Sequence, residues 1–230
     1  MSRFAISDIH GCRRTLEALL DQIAFSTEDE LFLLGDYIDR GPDSRGVLDL
    51  ILKLRGEGYR LRCLRGNHEA LLLDSLGGLA DKQDIWMGNG GGATLSSFGL
   101  PADASPRQIP GQYIDFLDQL EWYAETDGYI LVHAGLDFGM ADPLENRFAM
   151  IWIRNWHGQI NPAWLQGRAV VHGHTPTPRP MIVKQLKNLE KVPALDIDAG
   201  CVFKSNYLNQ LCAFDLDNRQ LFFQKNIENE

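Results

Sequence analysis

Apolar and polar positions recur in a regular pattern over the first third of the chain. A short strand is predicted over Arg3 to Ser7, ending on Asp8-Ile9-His10-Gly11. Behind it Leu16, Leu19, Leu20 and Ile23 follow the i, i+3, i+4, i+7 spacing of an amphipathic helix. The continuous apolar run Leu31 to Leu34 predicts a buried strand ending on Gly35-Asp36, and Pro42-Asp43 opens a second helix with Val47, Leu48, Ile51 and Leu54 on one face. Arg60 to Leu64 repeats the unit and ends on Gly66-Asn67-His68-Glu69, ahead of an apolar run from Ala70. Strand–loop–helix units in succession predict α/β architecture with polar residues gathered at the carboxyl ends of the strands, where ligands bind in open α/β sheets.

The middle is less regular. Gly88 to Gly92 is expected to form a mobile loop, and it lacks the Gly-Lys-Ser/Thr ending of a nucleotide phosphate loop. A helix over Tyr113 to Leu120 and a strand over Tyr129 to Val132 are predicted, the strand delivering His133-Ala134-Gly135-Leu136. The last third predicts strands at Arg168 to Val171, Met181 to Val183, Ala194 to Ile197, Leu211 to Leu216 and Gln220 to Gln224, and hence a second, more antiparallel sheet. No linker, repeat or low-complexity tract divides the chain, so one domain over 1–230 is the simplest organisation.

Composition narrows the classes. With 230 residues, 44% hydrophobic and 23% charged, the chain can bury an independent core, and disorder or a fibrous repeat is excluded. The longest apolar runs fall far short of a membrane span, and Met1-Ser2-Arg3-Phe4 leads directly into strand-like sequence, so a cytoplasmic protein without a membrane partner is expected. A net charge of −9 disfavours an extended nucleic-acid surface. Cys12, Cys63, Cys201 and Cys212 form no CxxC pair and are expected to be reduced.

The chemistry lies in the side chains at strand ends: Asp8, His10, Asp36, Asp39, Asn67, His68, His133, His172 and His174. Carboxylate, amide and imidazole donors together suit Mn²⁺, Fe²⁺ or Zn²⁺, and this many exceed the needs of one tetrahedral ion. Two ions sharing a carboxylate would use them, the clamp suited to in-line displacement at phosphorus. In extended chain Asp8 and His10 would point the same way and reach one ion. Singly, each motif has a plainer reading as a turn, an ion pair or a helix cap. Their joint occurrence, in order and at successive strand ends, favours the metal centre.

The series Asp8-Ile9-His10-Gly11, Gly35-Asp36-Tyr37-Ile38-Asp39-Arg40-Gly41, Gly66-Asn67-His68-Glu69, His133-Ala134-Gly135-Leu136 and Gly173-His174 resembles the signature of the phosphoprotein phosphatase family within the calcineurin-like metallophosphoesterases. Met150 to Arg154 and Asp196 to Cys201 are similar to its bacterial and phage branch, which also holds the symmetrical diadenosine tetraphosphate hydrolases. The resemblance implies a four-layer α/β/β/α fold, a two-sheet β-sandwich flanked by helices. It implies two divalent ions, Mn²⁺ expected and Fe or Zn as alternatives, with Asp8 and His10 on the first, Asp36 bridging, and Asn67, His133 and His174 on the second. His68 would be the general acid, with Asp39 orienting it and favouring its protonated form. Arg40, Arg154 and Asn67 would hold the phosphoryl group. Ser7 and Ala134 stand where the family often has glycine, and Ser7 could add a hydrogen bond beside the ions. His172 is read as a packing residue, and His157, Trp156 and Trp164 as structural or rim residues.

The leading expectation is a serine/threonine phosphoprotein phosphatase, with phosphotyrosine as a further substrate, acting by direct attack of a hydroxide that bridges the ions. The alternative on the same centre is a symmetrical dinucleoside polyphosphate hydrolase or an RNA 5′-end pyrophosphohydrolase. A pseudoenzyme that binds phosphorylated partners is disfavoured, because every matched ligand is intact. The segment from Gly88 to Pro110 is expected to shape the substrate side.

Overall fold

A computed structural model describes residues 1–228, so the last two positions of the expected 1–230 domain lie outside the described residues. In chain order the strands are β1 (Arg3–Ile6), β2 (Glu30–Leu33), β3 (Arg60–Cys63), β4 (Tyr123–Thr126), β5 (Tyr129–Val132), β6 (Ala169–His172), β7 (Ala194–Asp196), β8 (Gln210–Asp215) and β9 (Gln220–Lys225). The helices are α1 (Arg13–Gln22), α2 (Ser44–Gly56), α3 (Asn67–Ser75), α4 (Ala80–Trp86), α5 (Gly92–Ser97), α6 (Gly111–Asp118), α7 (Arg147–Trp152), α8 (Pro162–Leu165) and α9 (Arg179–Lys187). One sheet runs β3-β2-β1-β8-β9 and the other β4-β5-β6-β7.

Side-chain alternation assigns the layers. Phe4 and Ile6 of β1 face the helices, packing with Leu16 and Leu19 of α1 and Val47, Leu48 and Ile51 of α2. Ala5, between them, turns inward with Phe32 and Phe214 to meet Leu131, Val171 and Leu195 of the second sheet. The outer face of that sheet, Ile130, Val132 and Val170, is covered by Met150 and Ile151 of α7 and by Trp156 and Leu165. The result is two mixed sheets face to face with helices outside, as the motifs implied. Asp43 caps α2 by accepting the Gly46 N–H at 2.8 Å, so the predicted opening at Pro42-Asp43 has a local cause.

Some expectations are corrected. The second sheet is mainly parallel, β5 to β6 to β7, with only β4 antiparallel. The antiparallel pair β8–β9 instead joins the first sheet at β1, in the register Ala5↔Phe214. Both faces of β8 are buried, as suits a strand paired on both sides by β1 and β9. Met181 to Val183 is not a strand but part of α9, with Pro180 in its first turn and Ile182 directed into the core between the sheets. A short apolar run fits either period, and length and partners decide between them. Gly88 to Gly92 is helical, a π-type turn over Met87–Gly91 leading into α5, with a kink at Gly90 (φ +107°). Anchors at both ends hold it: Trp86 and Thr94 both hydrogen-bond to Asp39.

Candidate metal centre

Each loop of the centre leaves the carboxyl end of a strand: β1 leads to Asp8 and His10, β2 to Asp36 and Asp39, β3 to Asn67 and His68, β5 to His133 and β6 to His174. All are buried, His174 the most open at 6%. Asp8, His10, Asp36, Asp39, Arg40 and His174 have φ between +46° and +71°, the left-handed region that non-glycine residues rarely adopt. Asp8 and His10 therefore do not reach the centre by strand alternation; the coiled backbone turns them there. Such a concentration of unfavourable φ values persists only where surrounding contacts enforce it.

Those contacts are explicit. His10 N–H donates to the Asp36 carbonyl and Gly11 N–H to that of Tyr37, both at 2.8 Å. The buried Glu69 carboxylate accepts from the N–H groups of Asp36 (2.9 Å), Tyr37 (2.8 Å) and Gly66 (2.9 Å), tying the β2 loop to the start of α3. At Gly35 (φ +103°) a Cβ would lie 2.5 Å from the Gly66 nitrogen, so glycine alone allows these loops to touch.

Two clusters of donor atoms share Asp36. His10, Asp36 and His68 offer ligand atoms within 4.8 Å of one another, as do Asp36, His133 and His174. In the second, Asn67 Oδ1 lies 3.0 Å from His133 Nε2 and 2.8 Å from His174 Nδ1. The tautomers follow from the carbonyls behind the rings. His10 Nδ1 is 2.8 Å from the Ile38 oxygen and His133 Nδ1 is 3.0 Å from that of Leu34, so each donates there and turns a bare Nε2 inward. The His133 lone pair thus faces the Asn67 amide oxygen, an arrangement that a cation between them satisfies.

Electrostatics point the same way. Burial first, with the neighbouring Asp8 and Glu69 charges, pushes Asp36 well above the usual carboxylate range. Asp198 is pushed up by burial and then by Asp8, and Asp196 by burial and then by Asp198. Burial lowers His10 and His133, and takes His174 down to about 2, leaving neutral imidazoles, the form that ligates metal. Buried acids short of cations, facing bare ring nitrogens, fit divalent ions chemically.

Within the first cluster, His68 Nδ1 lies 2.7 Å from Asp39 Oδ2, whose other oxygen accepts from Thr94 Oγ1 at 2.6 Å and, with Oδ2, from Trp86 Nε1 at 3.1 Å. Burial pushes Asp39 up to about 7 and His68 down to about 2, against the expectation that the carboxylate keeps His68 charged. The shared proton resolves this. A neutral carboxyl donating to Nδ1 and a carboxylate–imidazolium pair hold the same number of protons, and in both Nε2 bears one. His68 Nε2 is buried with no hydrogen-bond partner among the described residues, as is His174 Nε2.

The remaining predicted residues have other partners. Asp8 belongs to neither cluster; its Oδ2 accepts from Ser7 Oγ and, at 3.0 Å, from the His174 N–H. Arg40 NH1 donates to His10 Nε2 at 2.8 Å, and exposed Arg154 donates to Thr175 Oγ1 at 2.9 Å. His172 turns away to His157 (Nε2–Nε2 3.1 Å) and the Trp156 ring. The brace at Glu69 and the Trp86 and Thr94 contacts to Asp39 escaped sequence reasoning, since only the glycine-rich stretch between the latter two signalled anything unusual. The four cysteines are free and buried. No helix among the described residues is long and apolar enough to cross a membrane.

Known proteins resemble this chain in sequence and fold. A symmetrical bis(5′-nucleosyl)-tetraphosphatase of Nitrosomonas europaea is 35% identical over 137 residues, covering 59% of this chain and 45% of that one. An asymmetrical bis(5′-nucleosyl)-tetraphosphatase of Bacillus velezensis is 27% identical over 91% of this chain and 86% of its own. The chain matches about half the length, or less, of the symmetrical relatives. Among solved structures, one with a provisional diadenosine tetraphosphatase assignment superposes with a TM-score of 0.67 at 23% identity, covering 99% and 94% of the two chains. A Saccharomyces cerevisiae protein serine/threonine phosphatase gives 0.65 at 12%, covering 100% and 81%. These two likenesses establish the fold. The calcineurin-like phosphoesterase profile matches residues 1–203, and the chain belongs to that family.

Proposed function

We propose that the protein hydrolyses the phosphoanhydride chain of dinucleoside tetraphosphates. The motifs first favoured phosphoprotein hydrolysis on the same centre; the named activities of the relatives move the reading to its alternative. One structural observation carries the choice. Arg40, beside His10, shares a cavity of about 340 Å³ with Lys204, Ser96 and Asn209, and the Phe203 ring lies 5.7 Å from the Arg40 guanidinium. A monoester needs a grip on one phosphate only. An anhydride chain carries charge beyond the cleaved phosphorus, and a second cation and an aromatic surface beside the first arginine suit it. The acid of that cavity, Glu228, is engaged by Thr15 N–H and Oγ1 at 2.8 Å.

Asp8, His10, Asp36, Asn67, His133 and His174 would hold two divalent ions, Asp36 contributing to both. Bound there, the ions supply Lewis-acid charge at the phosphoryl oxygens and an acidified water as nucleophile. Arg40 and Arg154 hold the non-bridging oxygens in bidentate fashion. His68 Nε2, buried and without a hydrogen-bond partner among the described residues, passes its proton to the leaving phosphate oxygen while Asp39 fixes the ring through Nδ1.

The test is a parallel assay of diadenosine tetraphosphate, a phosphoserine/phosphothreonine peptide and triphosphorylated RNA with Mn²⁺ supplied. The tetraphosphate is expected to lead in kcat/KM by about 10²-fold, a discrimination that several subsite contacts supply. A phosphopeptide preference would return the reading to protein phosphatase. Two diphosphate products would indicate symmetrical cleavage, and a triphosphate with a monophosphate asymmetrical cleavage.

A further inference from the structure

We propose that the cavity between α3 and α7 seats one nucleobase of the substrate. This rests on the hydrolase reading above and adds the place where one end of the substrate binds. The cavity, of about 300 Å³, is walled by Arg65, Asp74, Trp122, Arg147, Phe148 and Trp152. The centre itself sets its position. α3 begins on Asn67 and His68 and supplies Asp74 two turns later. At the end of α7 the Trp152 ring stands edge-on to His174, centroids 6.2 Å apart at 87°. Trp152 therefore walls the cavity and the phosphate site at once.

The lining suits a planar, polar-edged ring. Phe148 is 72% exposed and stacks on Trp152, centroids 6.3 Å apart at 28°, so one aromatic face has no cover in the fold. Every base has a π-face to lay against such a surface. Trp122 is flanked by two guanidinium groups, Arg65 at 4.8 Å and Arg147 at 5.3 Å. Arg65, on this wall, has its Nε buried without a hydrogen-bond partner among the described residues. Opposite in character, Asp74 is exposed, and its carboxylate lies 3.5 Å from Lys82 Nζ. A base offers ring acceptors to the arginine and amino donors to the carboxylate, whereas an apolar side chain would leave both unmatched.

Two variants remote from the metal ligands test this, Phe148→Ala and Trp122→Leu. The readout is kcat/KM for diadenosine tetraphosphate divided by that for 4-nitrophenyl phosphate, which has no base. Each variant is expected to lower the ratio by about tenfold, the loss of one stacking contact. Independently of turnover, ADP titrated into the metal-free chain is expected to quench tryptophan fluorescence, with affinity about tenfold weaker in Phe148→Ala. An unchanged ratio together with wild-type ADP affinity in Phe148→Ala overturns the subsite. Should the wild-type chain leave diadenosine tetraphosphate intact, the hydrolase reading fails, and the ADP titration still decides whether the cavity holds a base.

Discussion

The floor of the site and its rim are built on different principles. On the floor, at the ends of β2 and β3, Asp36, Asp39, His68 and Glu69 are almost wholly buried, and each is bonded to a neighbouring loop. On the rim, Arg154, Phe148, Phe203 and Lys204 are exposed; Arg154 donates to Thr175, Phe148 stacks on Trp152 and the Phe203 ring lies beside Arg40. Any change on the floor disturbs several loops, while the rim can change at little cost to the fold. The phosphoester chemistry thus sits on the rigid floor, while the exposed residues around it are free of that constraint.

The largest effect is expected at the point shared by both clusters. Asp36→Ala should abolish metal content, measured by elemental analysis, together with all phosphohydrolase activity; a variant that kept two ions would break the floor as described. His68→Asn should keep its metal yet slow the tetraphosphate by about 10²–10⁴-fold, and 4-nitrophenyl phosphate, with its better leaving group, by less. The sign of its pH dependence follows from the proton. Asp39 held up to about 7 keeps the pair loaded below that pH, so wild-type activity should fall as pH rises through the pair's apparent pKa, and His68→Asn should lose that limb.

Glu69→Gln tests the brace. Replacing one acceptor oxygen by an amide that faces backbone N–H groups should destabilise the fold by about 3 kcal/mol, read from denaturant unfolding. Burial raises Glu69 to about 7, above its unfolded value, so its contribution is full below about pH 4 and fades as pH climbs toward 7. The variant, unable to ionise, should show a flatter dependence of Tm on pH over that window. The smallest effect belongs to the rim. Arg154→Lys should raise KM by about tenfold through loss of the bidentate grip, leaving Tm within error; a large fall in Tm would show that rim and floor are one unit.

Much of the floor was legible because its physics is local. Gly35-Asp36 and Gly66-Asn67-His68 each follow an apolar run, and glycine is the only residue that lets the two loops meet. What escaped was long-range. Glu69 drew no role of its own, and nothing in its neighbours announced that it would gather N–H groups from the β2 loop. The glycines from 88 to 92 suggested mobility, yet Trp86 and Thr94 pin that stretch to Asp39 and leave Gly90 against Arg40. Met181 to Val183 offered too few positions to separate a period of two from one of 3.6.

By itself, then, the sequence determined the α/β units, the candidate ligands at the strand ends and their donor chemistry, since each depends on residue type and spacing within one segment. Tertiary structure alone decided that β8 and β9 complete the first sheet, that left-handed backbone rather than strand alternation aims Asp8 and His10, and that Trp152 stands between the centre and an aromatic cavity. Those outcomes depend on which distant segments meet, and that is settled by burial shared across the whole chain.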